Sequence, residues 1–487
     1  MWSPPPARTT PSTDALGPLD RVAQPKGGRV RRSWIVVPLV LVLGAAVAGC
    51  TGDDDPGPDQ PEPSTPPAKV ALTFGVWGTK PEVDAYQGVV DTWNAYHPET
   101  QVKIKAYANH EDLLAAIQDG KVPDVFQVSR ADLPVLRDQE LNRPIGELLD
   151  ERNVDFGDGY SRPALEAFSS DRKLQCMPYG ISPMVIYYNP KLVDFEAMAA
   201  RGLDVPTVDY EDLTKRPTWT FEQFQAAAEY ASRPRRGIAG FYIAPTLRGL
   251  APFVLSGGGQ IFDDEDEPSS LAFSSDDTKS ALEEVLPLLR DPKVTLTPDQ
   301  LAEKTPLEWF REGKLGMIAG FRDLVPELRP TGTLDFDILP MPIVNDPATV
   351  GDLTGICIAQ DTPNVAQSAD FLVDFISEES VAAVAGAGYL APANTKVALS
   401  DAFLQPGRAP VHSGVSNNSI KNMVIPPLVE DYQALEEAVA APIRALMEVE
   451  VLDLDALTQQ IDEASQTVLA PPEEPSESES PSEDESP

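Results

Sequence analysis

Few residues in this chain are spaced to do chemistry. Its thiols are Cys50, Cys176 and Cys357, and its imidazoles are His97, His110 and His412. The histidines lie far apart and no CxxC or HExxH spacing occurs, so a structural or catalytic zinc site is not expected. No GxxxxGK[ST] stretch is present, so nothing speaks for nucleotide hydrolysis. Among 76 carboxylates a glycoside-cleaving pair would have to sit about 5 or about 6.5–9.5 Å apart across a cleft; nothing in the sequence marks one. What remains is one thiol in a special setting and the chemistry of binding. Binding needs aromatic faces beside a few planar polar groups.

The special thiol is Cys50. Arg29, Arg31 and Arg32 precede an almost wholly apolar run of 15 residues, 34–48, and small residues then lead into the cysteine. A positive start, a short apolar core and small residues before a cut make a secretory signal. A spanning helix needs about 20 residues, and Pro38 weakens one here. Val47-Ala48-Gly49-Cys50 resembles a bacterial lipoprotein signal, in which the cysteine takes a diacylglyceryl group and becomes the new N-terminus. Residues 1–49 are then the signal peptide, and the expected address is the extracytoplasmic face of the cell membrane, held by lipid on Cys50. A short uncleaved anchor is the alternative.

Formal charge is −38 over 487 residues. Residues 1–49 carry six basic and two acidic side chains, so the remainder stands near −42. Nucleic-acid binding wants a basic patch, so no such partner is expected. Residues 50–69, with three consecutive aspartates and repeated prolines, cannot bury a core and read as a disordered stalk. Residues 471–487 read as a disordered acidic tail.

Between them the pattern is α/β. Leu72, Phe74 and Val76 alternate as a strand does, and Val83, Tyr86, Val90 and Trp93 follow at helical spacing until His97-Pro98. Val102, Ile104 and Ala106 alternate again, Leu113, Leu114 and Ile117 mark a second helix, and 125–128 is a short buried strand. This order predicts a parallel sheet. Further on, 184–188 is an apolar strand and Thr220 opens a helix with a capping box. Helices are also predicted around Leu282–Leu289 positions, around Ala369 to Ile376, and along the 3-4-3-4 stripe of Leu454, Leu457, Ile461, Ala464 and Val468. No internal repeat is visible.

Six segments, in order, resemble the extracellular solute-binding proteins of sugar-type ABC importers, the maltose-binding-protein-like group. They are Phe74-Gly75-Val76-Trp77-Gly78, Trp93-Asn94-Ala95-Tyr96-His97-Pro98, and Gly120-Lys121-Val122-Pro123-Asp124-Val125-Phe126. Then come Cys176-Met177-Pro178-Tyr179-Gly180-Ile181, Pro217-Thr218-Trp219-Thr220-Phe221-Glu222-Gln223-Phe224, and Phe310-Arg311-Glu312-Gly313-Lys314-Leu315-Gly316-Met317 with Gly320-Phe321. The resemblance implies a two-lobed periplasmic-binding-protein-like fold with hinge strands and an interlobe ligand cleft. Transferred here, one lobe holds 70–177 and 357–398, the other 178–356 and 399–470. It implies a monomer that binds a sugar or oligosaccharide without catalysis or cofactor and hands it to a membrane permease. The alternatives are another solute (a polyamine, an organic anion, a peptide) and, further off, a secreted glycoside hydrolase.

The same resemblance implies site residues. Trp77 ends the first strand and faces the cleft, followed by Thr79 and Lys80 at a turn. Arg130 and Asp132 follow the third strand. Tyr179 and Ser182 sit at a hinge crossing, where the family often has a carboxylate that this sequence lacks. Phe321 stands where many relatives carry tryptophan, with Arg322 beside it, and Arg248 is within reach of the cleft. Trp219, Trp309 and Phe310 read as core. Cys176 and Cys357 fall on neighbouring crossing strands by resemblance, which implies a disulfide between them.

Overall fold

The alternation at Leu72, Phe74 and Val76 is a strand, β1 (Val70–Trp77), with all three side chains fully buried. The computed structural model describes residues 69–470 except 155, 156, 158, 210, 211, 213, 214 and 333; the segment with Cys50, the proline-rich stalk and the acidic tail lie outside them. After β1 come α1 (Lys80–Tyr96), β2 (Thr100–Tyr107), α2 (His110–Gln118) and β3 (Val125–Ser129). Tyr86, Val89, Val90 and Trp93 are the buried stripe of α1. β1 pairs in parallel with β2 on one side and β3 on the other, in the register Val70↔Thr100 to Trp77↔Tyr107. The edge pieces β4 (Asn142–Arg143) and β5 (Met177–Pro183) complete this part of the chain.

The chain then builds a second sheet. Its elements are β6 (Val185–Tyr188), α3 (Phe221–Ala231), β7 (Ala239–Tyr242), α4 (Leu247–Ser256), α5 (Asp276–Leu289), β8 (Leu315–Gly320) and β9 (Asp337–Pro340). The strand order is β9-β6-β8-β7, with β6 antiparallel to both neighbours and β8 parallel to β7. α3 opens with the capping box predicted at Thr220 and Gln223. Trp219 is buried and donates from Nε1 to the Pro340 carbonyl (2.8 Å), while Trp309 and Phe310 fill a neighbouring core.

β10 (Gly351–Ala359) returns to the first sheet, followed by α6 (Val365–Phe375), α7 (Tyr432–Glu448) and α8 (Leu454–Leu469). Here the expectation of a parallel sheet holds for β1, β2 and β3 but not for the sheet as a whole. β10 enters from the second lobe and therefore runs antiparallel to β3, β4 and β5. The first sheet is mixed, in the order β2-β1-β3-β10-β4, with β5 also on β10. Phe371 and Phe375 of α6 pack edge-on against Phe74 at 5.4 and 4.8 Å, contacts each worth about 0.5–1.5 kcal/mol beyond area burial. The last helix is held to the second lobe by backbone bonds to its polar side chains. Phe273 and Ser274 donate to Asp462 (2.7 and 2.9 Å), and Leu271 donates to Ser465 (2.8 Å).

Each lobe has its own core, and β5 and β10 run side by side from one to the other. Two further stretches accompany them. Ile181 donates to the Ala391 carbonyl (2.8 Å), and Val424 donates to that of Thr349 (2.8 Å). The packing is close: a Cβ on Gly351 would lie 2.0 Å from Met423 Sδ, so any larger residue there would have to displace the Met423 side chain. Cys176 and Cys357 are bonded, Cα atoms 4.5 Å apart and both fully buried in the first core. The bond joins the residue just before β5 to the far end of β10, inside the first lobe.

Candidate functional site

Between the sheets lies a cleft of about 1710 Å³, larger than the roughly 300–1,000 Å³ of ordinary small-molecule sites. Its floor is the set of crossings: Gly180 to Ser182, Val350 to Thr354, Tyr389 to Ala391 and the stretch 424–431. Its first wall comes from the C-terminal ends of β1 and β3, where ligands of open α/β sheets bind. Trp77 is the last residue of β1 and is partly exposed to this space.

Behind Trp77 stands a chain of hydrogen bonds. The Trp77 backbone N–H donates to Gln127 Oε1 (3.3 Å), Gln127 Nε2 donates to Tyr86 Oη (3.5 Å), and Tyr86 donates to Glu82 Oε1 (3.3 Å). Glu82 lines the cleft, and burial, together with the charge of Asp323, pushes its carboxyl up to about 7 against the bond from Tyr86. Gly78 makes room for it. With φ at +134°, Gly78 holds a backbone conformation that other residues rarely adopt, and a Cβ there would sit 2.3 Å from Glu82 Oε2 and displace it.

Beside this chain, His110 Nδ1 lies 3.1 Å from Asp132 Oδ2 and its Nε2 lies 3.2 Å from Glu111. Burial pushes the imidazole down, but the bond to Asp132 and the surrounding carboxylates outweigh it and raise its pKa. Arg130 and Asp132 both reach the cleft, yet they do not pair with each other; Arg130 Nε donates to the Ala167 carbonyl (3.2 Å). Burial brings the Arg130 guanidinium down to about 10.

The second wall carries Arg248, Phe321 and Asp323. Arg248 forms an ion pair with Asp352 of β10 and lies over the Phe321 ring, 4.2 Å from its centroid. Asp323 precedes the short helix Leu324–Leu328 and is exposed to the cleft, whose walls remove part of its water. That desolvation, with the charge of Asp352, raises its carboxyl to about 6. Glu436 on α7 is raised for the same two reasons. Tyr389 spans the lobes by donating to Glu327 (3.2 Å).

Trp77, Thr79, Arg130, Asp132, Ser182, Arg248 and Phe321 therefore share one space. Three expected residues do not. Lys80 sits on the outer face of α1, paired with Asp84 at 2.7 Å and fully solvated, because one residue past Thr79 the helix has turned its side chain outward. Tyr179 is buried in the first core and stacked on Phe375 at 4.9 Å; alternation along β5 sends it to the face opposite Gly180. Arg322 is 2% exposed and donates to the carbonyls of Gly388 (3.0 Å) and Phe403 (3.0 Å), away from the cleft. Ser182 Oγ accepts from the Arg322 backbone N–H (2.9 Å), which ties the crossing to the second wall.

The sequence reading missed Glu82, Tyr86, His110, Gln127, Asp323, Asp352, Tyr432 and Glu436. Gln127 alone carried a local signal, a polar residue inside the buried run of β3. Among the described residues no group of three or more histidine, cysteine or carboxylate side chains is placed to hold a metal ion. Among them, too, no helix is long and apolar enough to cross a membrane.

A two-lobed α/β fold with a large cleft over paired crossing strands defines a class: a hinged binding protein. The family model of the bacterial extracellular solute-binding protein matches residues 89–410, and this chain belongs to that family. Its members bind; they are not enzymes. Solved structures of similar fold include an ABC substrate-binding protein from Listeria monocytogenes in complex with cycloalternan, at 19% identity, covering 82% of this chain and 99% of that one with a TM-score of 0.69. The GacH receptor of Streptomyces glaucescens, solved unliganded and with acarbose, aligns at 17% identity over 82% and 98% with a TM-score of 0.65. A binding protein from Thermotoga lettingae bound with α-D-tagatose aligns at 16% identity over 82% and 100%, TM-score 0.66. By sequence, 27% identity over 130 residues links the chain to the sn-glycerol-3-phosphate-binding periplasmic protein UgpB of Yersinia pestis bv. Antiqua. That match spans 25% of this chain and 28% of the relative's length.

Proposed function

We propose that this chain is the lipid-anchored substrate-binding component of an ABC importer, working as a monomer at the outer face of the cell membrane. It captures a saccharide between its lobes and presents the closed form to a membrane permease. The observation that carries this reading is the composition of the cleft. Trp77, Phe321, Tyr389 and Tyr432 offer ring faces for sugar C–H groups, and Glu82, Asp132 and Asp323 offer carboxylates to hydroxyl donors. The structural neighbours crystallised with cycloalternan, acarbose and tagatose support the same class. The hinge supports the mechanism: a ligand touching both walls favours closure by its differential affinity.

The link to a glycerol-phosphate binder does not extend to the ligand. Thirteen carboxylates line the cleft against two guanidinium groups and one histidine, and a phosphate would face net repulsion. Calorimetric titration of the purified full chain with mono- and oligosaccharides tests the reading. Saturable binding of one saccharide class supports it; silence toward all of them, with glycerol 3-phosphate bound instead, would sink it. Intact-mass analysis of membrane-extracted protein tests the lipid: the chain should begin at Cys50 and carry acyl mass.

A further inference from the structure

Three carboxylates from three different elements line the cleft: Glu82 from α1, Asp323 from the start of the short helix Leu324–Leu328, and Glu436 from α7. Among the described residues, none of the three has a lysine, arginine or histidine within ion-pair distance. Glu82 accepts instead from the Tyr86 hydroxyl (3.3 Å). The cations that reach the cleft make their direct contacts with other groups, although Arg248 attracts Asp323 and Glu436 from a distance and His110 attracts Glu436. Arg248 is matched by Asp352 and by the face of Phe321, and His110 is held between Asp132 and Glu111. Arg130 is the exception, a guanidinium with one bond to a carbonyl, and it stands beside Tyr432. Lysine is absent from the lining.

Leaving several partly desolvated carboxylates without an ion-pair partner is costly, because each loses water and feels neighbouring negative charge. Their raised protonation points record that cost: burial comes first in each, and repulsion from Asp323 on Glu82 and from Asp352 on Asp323 and Glu436 adds to it, the two together outweighing the pull of Arg248 on the latter two. Charges that sense one another from both walls border one common space. A neutral sugar would satisfy the hydrogen bonds but leave the repulsion in place. A bound cation would remove it, and it would do so most fully when the lobes close. The rings agree, since Trp77 and Tyr432 present faces that attract an ammonium group as well as a C–H face.

We infer that the solute carries a protonated amine, which Glu82, Asp323 and Glu436 neutralise between the lobes, while the aromatic faces hold its saccharide body. This rests on the saccharide reading above and adds its charge. It also assigns Glu82 and Asp323 a shared role from opposite walls: each supplies half of a counter-charge that is complete only in the closed form.

The test compares ligands that differ in charge. Glucosamine oligomers of two to four units, their N-acetylated counterparts, maltotriose and spermidine are titrated into the full chain by calorimetry. The amine-bearing oligomers should bind about tenfold or more tighter than the acetylated ones, and the preference should shrink as salt is raised. Glu82→Gln and Asp323→Asn should each erase much of that preference; the wild-type comparison decides the matter even if a variant fails to fold. Equal or tighter binding of the acetylated or neutral sugars overturns the inference and leaves the saccharide reading standing. Binding of spermidine with no sugar bound upholds the charge and overturns the saccharide body. Silence toward every probe overturns both.

Discussion

Replacing Glu82 with glutamine should make the unliganded protein more stable, and by an amount that depends on pH. The carboxyl has an ordinary value of 4.5 and is raised to about 7 in the folded chain, chiefly by burial and then by the charge of Asp323. At pH values below 4.5 both states are protonated and the charge has no effect. Between 4.5 and 7 the unfolded chain ionises while the native one holds its proton, so the wild type loses stability as pH rises. Above 7 both are ionised and the loss is complete, about 3 kcal/mol as an upper bound at 1.36 kcal/mol per pH unit. Water in the cleft screens part of it, which leaves about 1–2 kcal/mol. Glutamine keeps the amide oxygen that accepts from Tyr86 and lacks the charge. Urea unfolding of both proteins from about pH 4.5 to about pH 8.5 should show the variant's advantage growing to pH 7 and then levelling. A flat difference, or a variant weaker than wild type at pH 8, would refute the claim that this carboxylate is held against its solvation. The same variant should lose ligand affinity, the usual opposition between a site and its stability.

Three more outcomes are expected. His412 is buried with Nδ1 2.5 Å from Asp337 and Nε2 3.0 Å from the Asp209 carbonyl; burial lowers its pKa, but these partners outweigh it and raise the net value. A raised histidine stabilises below its unfolded value near 6.5 and loses that contribution as pH climbs through the native value, so thermal melts should fall with rising alkalinity in wild type and less in His412→Gln. Opening the Cys176–Cys357 bond, which closes a loop of 181 residues, by the double change to serine should lower the unfolding free energy by about 2–5 kcal/mol; an unchanged urea midpoint would count against it. Gly78→Ala should push Glu82 from its place and weaken ligand binding about tenfold or more, with circular dichroism unchanged; wild-type affinity would show that this turn does not set the site.

How much of this was legible beforehand differs by element. Periodicity alone placed β1, α1, β2, α2 and β3, because each buries one face and the face imposes its own spacing. The capping box at Thr220 was equally local, since both of its bonds lie within four residues. Trp77 was expected at the cleft from the resemblance of its strand, and it lines that space. Asp323, Asp352 and Glu436 were not, because nothing near them in sequence distinguishes a cleft carboxylate from the many solvated ones in so acidic a chain. Tyr179 and Arg322 were misplaced by one residue of strand alternation or turn, which is enough to send a side chain from the cleft into a core.

The sequence by itself determined the α/β class, the family and the carboxylate excess, because these follow from side-chain types, local spacing and motif order. Only the tertiary structure decided that β10 runs against its neighbours, that Cys176 meets Cys357, and that Glu82, Asp323 and Glu436 face one space. Those facts depend on a chain that leaves the first sheet at Pro183 and re-enters it at Gly351. The contacts it makes on return lie between residues more than a hundred positions apart, and no local pattern encodes them.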